Sequence, residues 1–588
     1  MSVQIFFGFC FGFCVEVFAR FCCDDFSKST SKSASKILCK IFEDFPKNAL
    51  KKFSSNLHKT CGERTMDIRD VKKIQEGISS KDNQVERIKI GIVCFFMLSV
   101  VIISLLGYST QPLLLAFAAL VGAYMAMNIG ANDVANNVGP AVGSKAITLT
   151  GAIIIAAVCE ASGAILAGGD VVSTIKSDII APEKIANAEI FLFVMLAALL
   201  SGAIWVHLAT ILRAPVSTTH AIVGGVLGAG VVAGGVAAAN WWVLGGIALS
   251  WVISPVMGGI IAVIFLVFIK RTITYKEDKK EAAKKIVPLL VFAMSWAFGA
   301  YLLLKGFSKI YSFSPLQAGL ISLFVAIVVY FVTTPFIRQK ASTLQNTKES
   351  INTLFTIPLI FSAALLSFAH GANDVANAIG PLAAINEALS GGDINSKASV
   401  PFWIMLIGGL GISLGLALYG PRLIRTVGSE ITELDRMRAF CIAMSAAITV
   451  LLASALGLPV SSTHIAIGAV IGVGFLREYI KGRYFEMCEQ IIKAHKGKDQ
   501  KVAEEFLKTF AKANVKQKAQ MLESLKTKNP NFELTSKEKK ELKKFYKHEL
   551  VKRSEINRII ASWVITVPAS AVLGGFVFIV FKVIFIDG

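Results

Sequence analysis

The chain has 588 residues, 54% of them hydrophobic, and a formal net charge of +20. A soluble protein of this length would divide into several domains with polar surfaces. Here apolar runs longer than the roughly 18–20 residues that cross a bilayer recur instead, as at Ile88–Tyr108, Ile190–Leu212, Trp241–Ile269 and Pro315–Ile337. No alternating ten-residue pattern speaks for a membrane β-barrel. The excess of Lys and Arg gathers in the connections, as in cytoplasmic loops of membrane proteins, and not in a nucleic-acid-binding face.

In chain order, residues 1–87 read as an N-terminal cytoplasmic stretch. Ile5–Phe18 is apolar but short and interrupted by Glu16, a poor signal peptide. Ser27–Lys36 follows as a polar spacer, and Met66 is a candidate start of the working protein. Six of the ten cysteines fall before residue 62, without metal-ligand spacing or a disulfide framework. Residues 88–108 form an extra leading membrane helix. Membrane segments then fall at 112–129, 147–168, 190–212, 215–236, 241–269, 286–305, 315–337, 355–370, 400–420, 439–457, 459–476 and 559–584. The basic stretches Lys270–Lys285, Arg338–Lys348, Arg422–Arg438 and Arg477–Arg558 are placed in the cytoplasm. The N-terminus is then inside and the C-terminus outside. The insertion 477–558 carries both charge signs and spaced apolar residues such as Phe506, Phe510 and Leu522, and reads as a helical cytoplasmic loop.

Two motifs recur. Gly-Ala-Asn-Asp-Val-Ala-Asn occurs at 130–136 and again at 371–377, each followed by Gly-Pro. Pro-Val-Ser-Thr-Thr-His at 215–220 is matched by Pro-Val-Ser-Ser-Thr-His at 459–464. Two unrelated motifs in the same order indicate a duplication, with a first repeat at 112–269, linking helices and loops at 270–350, and a second repeat at 351–476. The final helix occupies 559–588. The loop assignment runs the segment entering the first heptapeptide inward and that entering the second outward, so the two repeats are expected to be inverted. Gly and Pro inside several segments suggest broken or re-entrant helices lining a cavity. The expected fold is an all-α polytopic membrane protein of about 12 helices in two inverted repeats, plus the leading helix.

Asp133 and Asp374 sit beside apolar segments, where a carboxylate is costly and usually serves an ion or substrate path. On a helix Asn132 and Asn136 share a face, as do Asn373 and Asn377. With the aspartates they offer hard oxygen ligands suited to a hard cation such as sodium. The second motif suits an anion. Pro215 and Pro459 can open helices, Ser217, Thr218 and Thr219 and their counterparts Ser461, Ser462 and Thr463 supply hydroxyls, and helix starts favour negative charge. The motifs contain two acids and no Lys or Arg, so a bound anion requires accompanying cations, which favours symport over uniport. His220 and His464 could relay protons. Glu160 lies inside an apolar segment and could tune cation binding or carry a proton; alignment through Thr174 and Thr426 sets Ile412 opposite it. Lys145 and Arg213 mark the cytoplasmic boundary.

These motifs resemble those of the PiT inorganic phosphate transporter family, over about residues 112–476 and the last helix. The resemblance implies an inverted-repeat symporter importing phosphate with sodium or protons, inserted in the plasma (inner) membrane and commonly a homodimer. By motif it assigns cation binding to Asp133, Asn136, Asp374 and Asn377. Phosphate binding falls to Asn132, Asn373, Ser217, Thr218, Thr219, Ser461, Ser462 and Thr463. Glu160 resembles an acid found in the family, whereas Ala443 stands where some relatives carry an acid. A symporter of another tetrahedral oxyanion, such as sulfate, and an anion channel are the rival functions. No nucleotide loop or metal-hydrolase motif supports an enzyme, and no cofactor beyond the coupling ions is expected.

Overall fold

The computed structural model describes residues 111–587 apart from 213, 215, 309–310, 391–399, 431–433, 482–504, 508 and 510–552, together with 95, 96 and 99. The N-terminal stretch, most of the leading helix and nearly all of the 477–558 insertion lie outside the described residues. Among the described residues thirteen main helices stand among helical turns of three or five residues: α1 Pro112–Gly143, α2 Leu149–Ala167, α3 Ala188–Ile211, α4 Thr218–Gly234, α5 Trp241–Ile269, α6 Lys279–Tyr301, α7 Pro315–Ser342, α8 Thr356–Asp374, α9 Ala376–Leu389, α10 Phe402–Glu430, α11 Arg436–Ala455, α12 Ser462–Lys481 and α13 Arg553–Phe581. Among the described residues the sole β-type pairing is the isolated bridge Ile180–Ala239. Ten helical spans among the described residues are long and apolar enough to cross a membrane. The chain is an integral multi-pass membrane protein.

Local chemistry sets the helix starts. Thr148, Asn187, Asn240 and Asp278 cap α2, α3, α5 and α6 with side-chain oxygens, each satisfying one backbone N–H that the helix leaves unpaired. Ser314 and Gln317 form a reciprocal capping box at α7. The helices are apolar nearly all round, as burial in lipid or protein requires. The strips facing away from the protein carry large apolar side chains, among them Leu249, Ile253, Ile260 and Ile264 on α5 and Leu316, Phe324 and Phe331 on α7. Lipid replaces protein as their neighbour.

The two copies of the heptapeptide lie in helix. α1 runs unbroken through the first copy and past Pro140, so the segment expected to end at 129 extends to Gly143. The second copy straddles a one-residue interruption at Val375, between α8 and α9, where φ and ψ stay helical. The proline-led motif corrects an expectation. Helices α4 and α12 start at Thr218 and Ser462, not at a proline. Ser217 and Ser461 act as the caps, their hydroxyls accepting from His220 N (3.1 Å) and His464 N (3.3 Å).

The packing repeats itself. A Cβ on Gly130 would lie 1.9 Å from Ile412 O, and one on Gly371 would lie 2.1 Å from Glu160 O. Gly163 and Gly415 would likewise strike Phe368 O and Met127 O, at 2.0 and 1.9 Å. These four contacts seat α1 on α10 and α8 on α2 through the same registers, and they set Glu160 opposite Ile412, as the sequence alignment placed them. A second set joins α4 to α13 (Gly228 on Ala571 O, 1.9 Å) and α12 to α5 (Gly468 on Pro255 O, 2.2 Å). The last helix, α13, therefore stands to α4 as α5 stands to α12. Small residues let helix backbones approach this closely without a hydrophobic driving force between them. The ion pair Lys176–Glu387 (2.5 Å) and the bond from Thr174 Oγ1 to Gly457 O (2.8 Å) add ties from the turn after α2 to the second half.

Gly130→Ala and Gly415→Ala place a methyl group where no side chain can yield, because the obstructing atom is backbone. Each is expected to lower stability by about 1–3 kcal/mol, the usual cost of overpacking, read as a fall in the unfolding midpoint in detergent. Gly139→Ala, whose Cβ would meet nothing within 4 Å, is the matched control and is expected to remain near wild type.

Candidate functional site

Asp133 and Asp374 come together at the centre, both about 1% exposed. With His370 they form a group whose ligand atoms lie within 4.8 Å of one another. At an effective dielectric of about 20, two ionised carboxylates at that distance repel by roughly 3–4 kcal/mol. The surroundings answer this with donors. Asp133 Oδ2 accepts from Thr218 Oγ1 (3.1 Å) and Oδ1 from Thr463 Oγ1 (2.8 Å). Asp374 Oδ2 accepts from Ser462 Oγ (2.6 Å). Each aspartate thus receives the first hydroxyl of the capped helix in its own half, and Asp133 also takes one from the other half.

The asparagines cross between halves. Asn136 Nδ2 donates to Thr463 Oγ1 (2.9 Å), while Asn377 Nδ2 donates to Thr219 Oγ1 (3.1 Å) and Thr218 Oγ1 (3.3 Å). Thr219 Oγ1 in turn donates to Val460 O (3.0 Å). Asn132 and Asn373 have a different place. Asn132 Nδ2 reaches Thr210 Oγ1 (3.0 Å) and Ala214 O (3.4 Å), bracing the loop before Ser217. Asn373 meets Ser454 Oγ at 3.0 Å in the equivalent place. With its amide turned to suit its neighbours it donates to Asp374 Oδ1 (2.9 Å) and Val460 O (3.0 Å).

One part of the site is not duplicated. His370 Nε2 lies 2.9 Å from Asp374 Oδ2 and 3.6 Å from Asp133 Oδ2, and Nδ1 lies 3.4 Å from Glu160 Oε1. Asn137 Nδ2 donates to the same Glu160 oxygen (2.8 Å). His370, Glu160 and Asn137 are all buried. Their counterparts are Ile129, Ile412 and Ala378, also buried and apolar. The identical heptapeptide points to neither His370 nor Asn137. Each lies one residue outside it, and comparing the two copies one step further gives His370 against Ile129 and Asn137 against Ala378.

His220 and His464 lie elsewhere in the arrangement. Their rings stand edge-on to each other, centroids 4.4 Å apart, with Trp251 3.8 Å from His220 and Trp563 3.7 Å from His464. Trp251 and Trp563 occupy corresponding positions on α5 and α13. The histidines therefore build an aromatic junction behind the capped helices, and their ring contacts are with tryptophan and each other.

The comparisons now bear on this geometry. The model of the phosphate transporter family matches residues 129–574. A Helicobacter pylori protein named "Putative phosphate permease" is 55% identical over 529 residues, covering 87% of this chain and 98% of the relative. A Pyrococcus horikoshii protein of the same description is 41% identical over 362 residues, covering 61% and 87%. This chain belongs to the phosphate transporter family. It is a transporter and not an enzyme. Among solved structures, one titled "The sodium-dependent phosphate transporter" is 31% identical, covers 80% of this chain and 99% of its own, and superposes with a TM-score of 0.65.

Thr463 is the residue that one hydroxyl connects to both Asp133 and Asn136. Thr463→Val keeps the shape but leaves a buried carboxylate oxygen without that donor and an amide without that acceptor. Stability is expected to fall by about 1–3 kcal/mol, measured by denaturation in detergent. Val216→Thr, the reverse exchange at a buried apolar position in the other copy of the motif, tests whether any hydroxyl change there has the same effect.

Proposed function

We propose that this protein is a secondary active symporter that imports inorganic phosphate together with sodium through the plasma (inner) membrane by alternating access to the central site, its two repeats inverted. The observation that carries the reading is the convergence of both copies of both motifs on one buried cluster. Asp133, Asn136, Asp374 and Asn377 hold the cations with hard oxygens. The capped starts of α4 and α12 offer hydroxyls of Thr218, Thr219, Ser462 and Thr463, with Ser217 and Ser461 fixing the turns, to the phosphate oxygens. Asn132 and Asn373 brace the loops that carry those turns, and their second amide contacts can pass to the anion when it enters.

Electrostatics supports coupling. A dianionic phosphate beside two carboxylates in a lipid-surrounded site is repelled by both, and a cation at each aspartate reverses the sign of that interaction. Each ligand then raises the affinity of the other by the same factor. Sodium is preferred over protons because the solved relative is described as sodium-dependent. Glu160 and His370 add a polar element on one side of the pseudo-symmetric site and tune the charge felt by the aspartates. The resemblance also implies a homodimer, for which light scattering of the detergent-solubilised protein is the check.

The test is radiolabelled phosphate uptake into liposomes holding purified protein, with sodium and pH gradients imposed separately. A sodium gradient alone is expected to drive uphill accumulation. Asp133→Asn and Asp374→Asn are each expected to reduce it by at least about a hundredfold, the scale of losing roughly 3 kcal/mol of ligand stabilisation, while both variants remain folded in the membrane. Accumulation driven only by the pH gradient would replace sodium by protons. Large passive currents would turn the reading into a channel, and competition by excess sulfate would change the substrate.

A further inference from the structure

Asn137, Glu160 and His370 stand where the mirrored positions carry the apolar Ala378, Ile412 and Ile129, and they bring chemistry that a sodium site does not need. Oxygen ligands suffice for a hard cation, whereas an imidazole nitrogen suits a borderline divalent ion such as zinc. The distances around the ring fit that use. His370 Nε2 has Asp374 Oδ2 at 2.9 Å and Asp133 Oδ2 at 3.6 Å, yet it forms a well-aligned hydrogen bond with neither. Tetrahedral zinc, with bonds of roughly 2.0–2.2 Å, sets its ligand atoms about 3.3–3.5 Å apart. The two observed distances bracket that spacing, and the three ligand atoms lie within 4.8 Å of one another.

The far side of the ring is furnished too. Nδ1 faces Glu160 Oε1 at 3.4 Å, and Asn137 Nδ2 holds that same oxygen with a 2.8 Å bond. A carboxylate behind an imidazole orients a metal-ligating histidine and raises its basicity. Glu160 Oε2 and Asn137 Oδ1 are buried without a hydrogen bond, a cost that a purely structural network avoids. We propose that Asp133, Asp374 and His370 form an inhibitory site for a divalent transition-metal ion of the zinc type, with Glu160 and Asn137 positioning the imidazole. The ion takes both carboxylates from sodium, a competition that rests on the cation role proposed above for the two aspartates. It also ties α1, which carries Asp133, to α8, which carries His370 and Asp374, and so opposes their relative movement.

The test is calorimetric titration of Zn²⁺ into the full chain in detergent, in choline buffer free of sodium and phosphate, with the ligand shell read by zinc X-ray absorption. The wild type is expected to bind zinc in a shell of nitrogen and oxygen, and added sodium is expected to weaken the binding. Glu160→Gln is expected to weaken it by about ten- to hundredfold, the usual cost of losing the group behind a ligating histidine. His370→Gln is expected to lose more, together with the imidazole scattering. Asn137→Ala, which releases only the Glu160 carboxylate, gives a smaller loss should the other variants fail to fold. In liposomes, external zinc is expected to inhibit sodium-driven phosphate uptake without accumulating inside. Equal zinc binding by the wild type and every variant, or a shell dominated by sulfur, overturns the site. Zinc that accumulates inside, or binding indifferent to sodium, overturns the inhibitory role. Phosphate uptake that ignores sodium in zinc-free wild type counts against the symport reading alone and leaves the calorimetry as it stands.

Discussion

Two carboxylates forced together away from water are the constraint from which the rest of this molecule follows. Asp133 and Asp374 cannot share a space of less than 5 Å inside an apolar bundle without compensation. Compensation arrives as hydroxyl donors at the capped ends of α4 and α12, with the amides of Asn136 and Asn377 bonded to the threonine hydroxyls there, and as the His370 imidazole. None of these groups can reach unless the backbones are nearly in contact. That explains why glycines fall where α1 meets α10 and α8 meets α2: a single methyl at Gly130 or Gly371 would hold the helices apart and open the cluster.

Duplication supplies this frame twice, and the departures from it are informative. The same glycine contacts and the same asparagine-to-threonine bonds recur in both halves. The exceptions gather at one place: Asn137, Glu160 and His370, from both halves, touch one another, whereas Ala378, Ile412 and Ile129 are the apolar residues at the mirrored positions. Buried polar residues are costly unless each has a partner. A lone His370 or a lone Glu160 would be a liability, so the three make sense together, as one polar patch added to a symmetric plan.

What was legible in the sequence was whatever repeats without change. The identical heptapeptides and the near-identical proline-led motifs located both aspartates, and spacing alone set Glu160 against Ile412. What was hidden had physical reasons. His370 and Asn137 differ from their counterparts, so a search for identity passes over them. The helix starts were misplaced because proline and serine compete for that role, and a serine hydroxyl that satisfies a free N–H two or three residues on wins over a proline that only fits the first turn. The ring contacts of His220 and His464 were hidden because the tryptophans they meet, Trp251 and Trp563, lie on helices far off in sequence. The kinship of α13 with α5 was hidden by the long insertion, which removes the regular spacing that revealed the other pairs.

The exchange of last helices bears on how such a molecule can move. α5 belongs to the first repeat by sequence but is locked to α12 of the second, and α13 is locked to α4 of the first. Contacts in which backbone meets backbone at glycine leave no side chain to re-pack, so they resist sliding. α1 with α10 and α8 with α2 are locked in the same way. Under the alternating access proposed above, the parts that shift against each other would be bodies assembled across the two repeats. Hydroxyl-to-carboxylate and amide-to-hydroxyl bonds join those bodies, where the capped ends of α4 and α12 meet α1 and α8–α9. Such bonds can be exchanged for bonds to a bound ion or oxyanion at little net cost. The joint of least resistance and the ligand site are then the same set of residues, which is the condition for occupancy of the site to govern the motion.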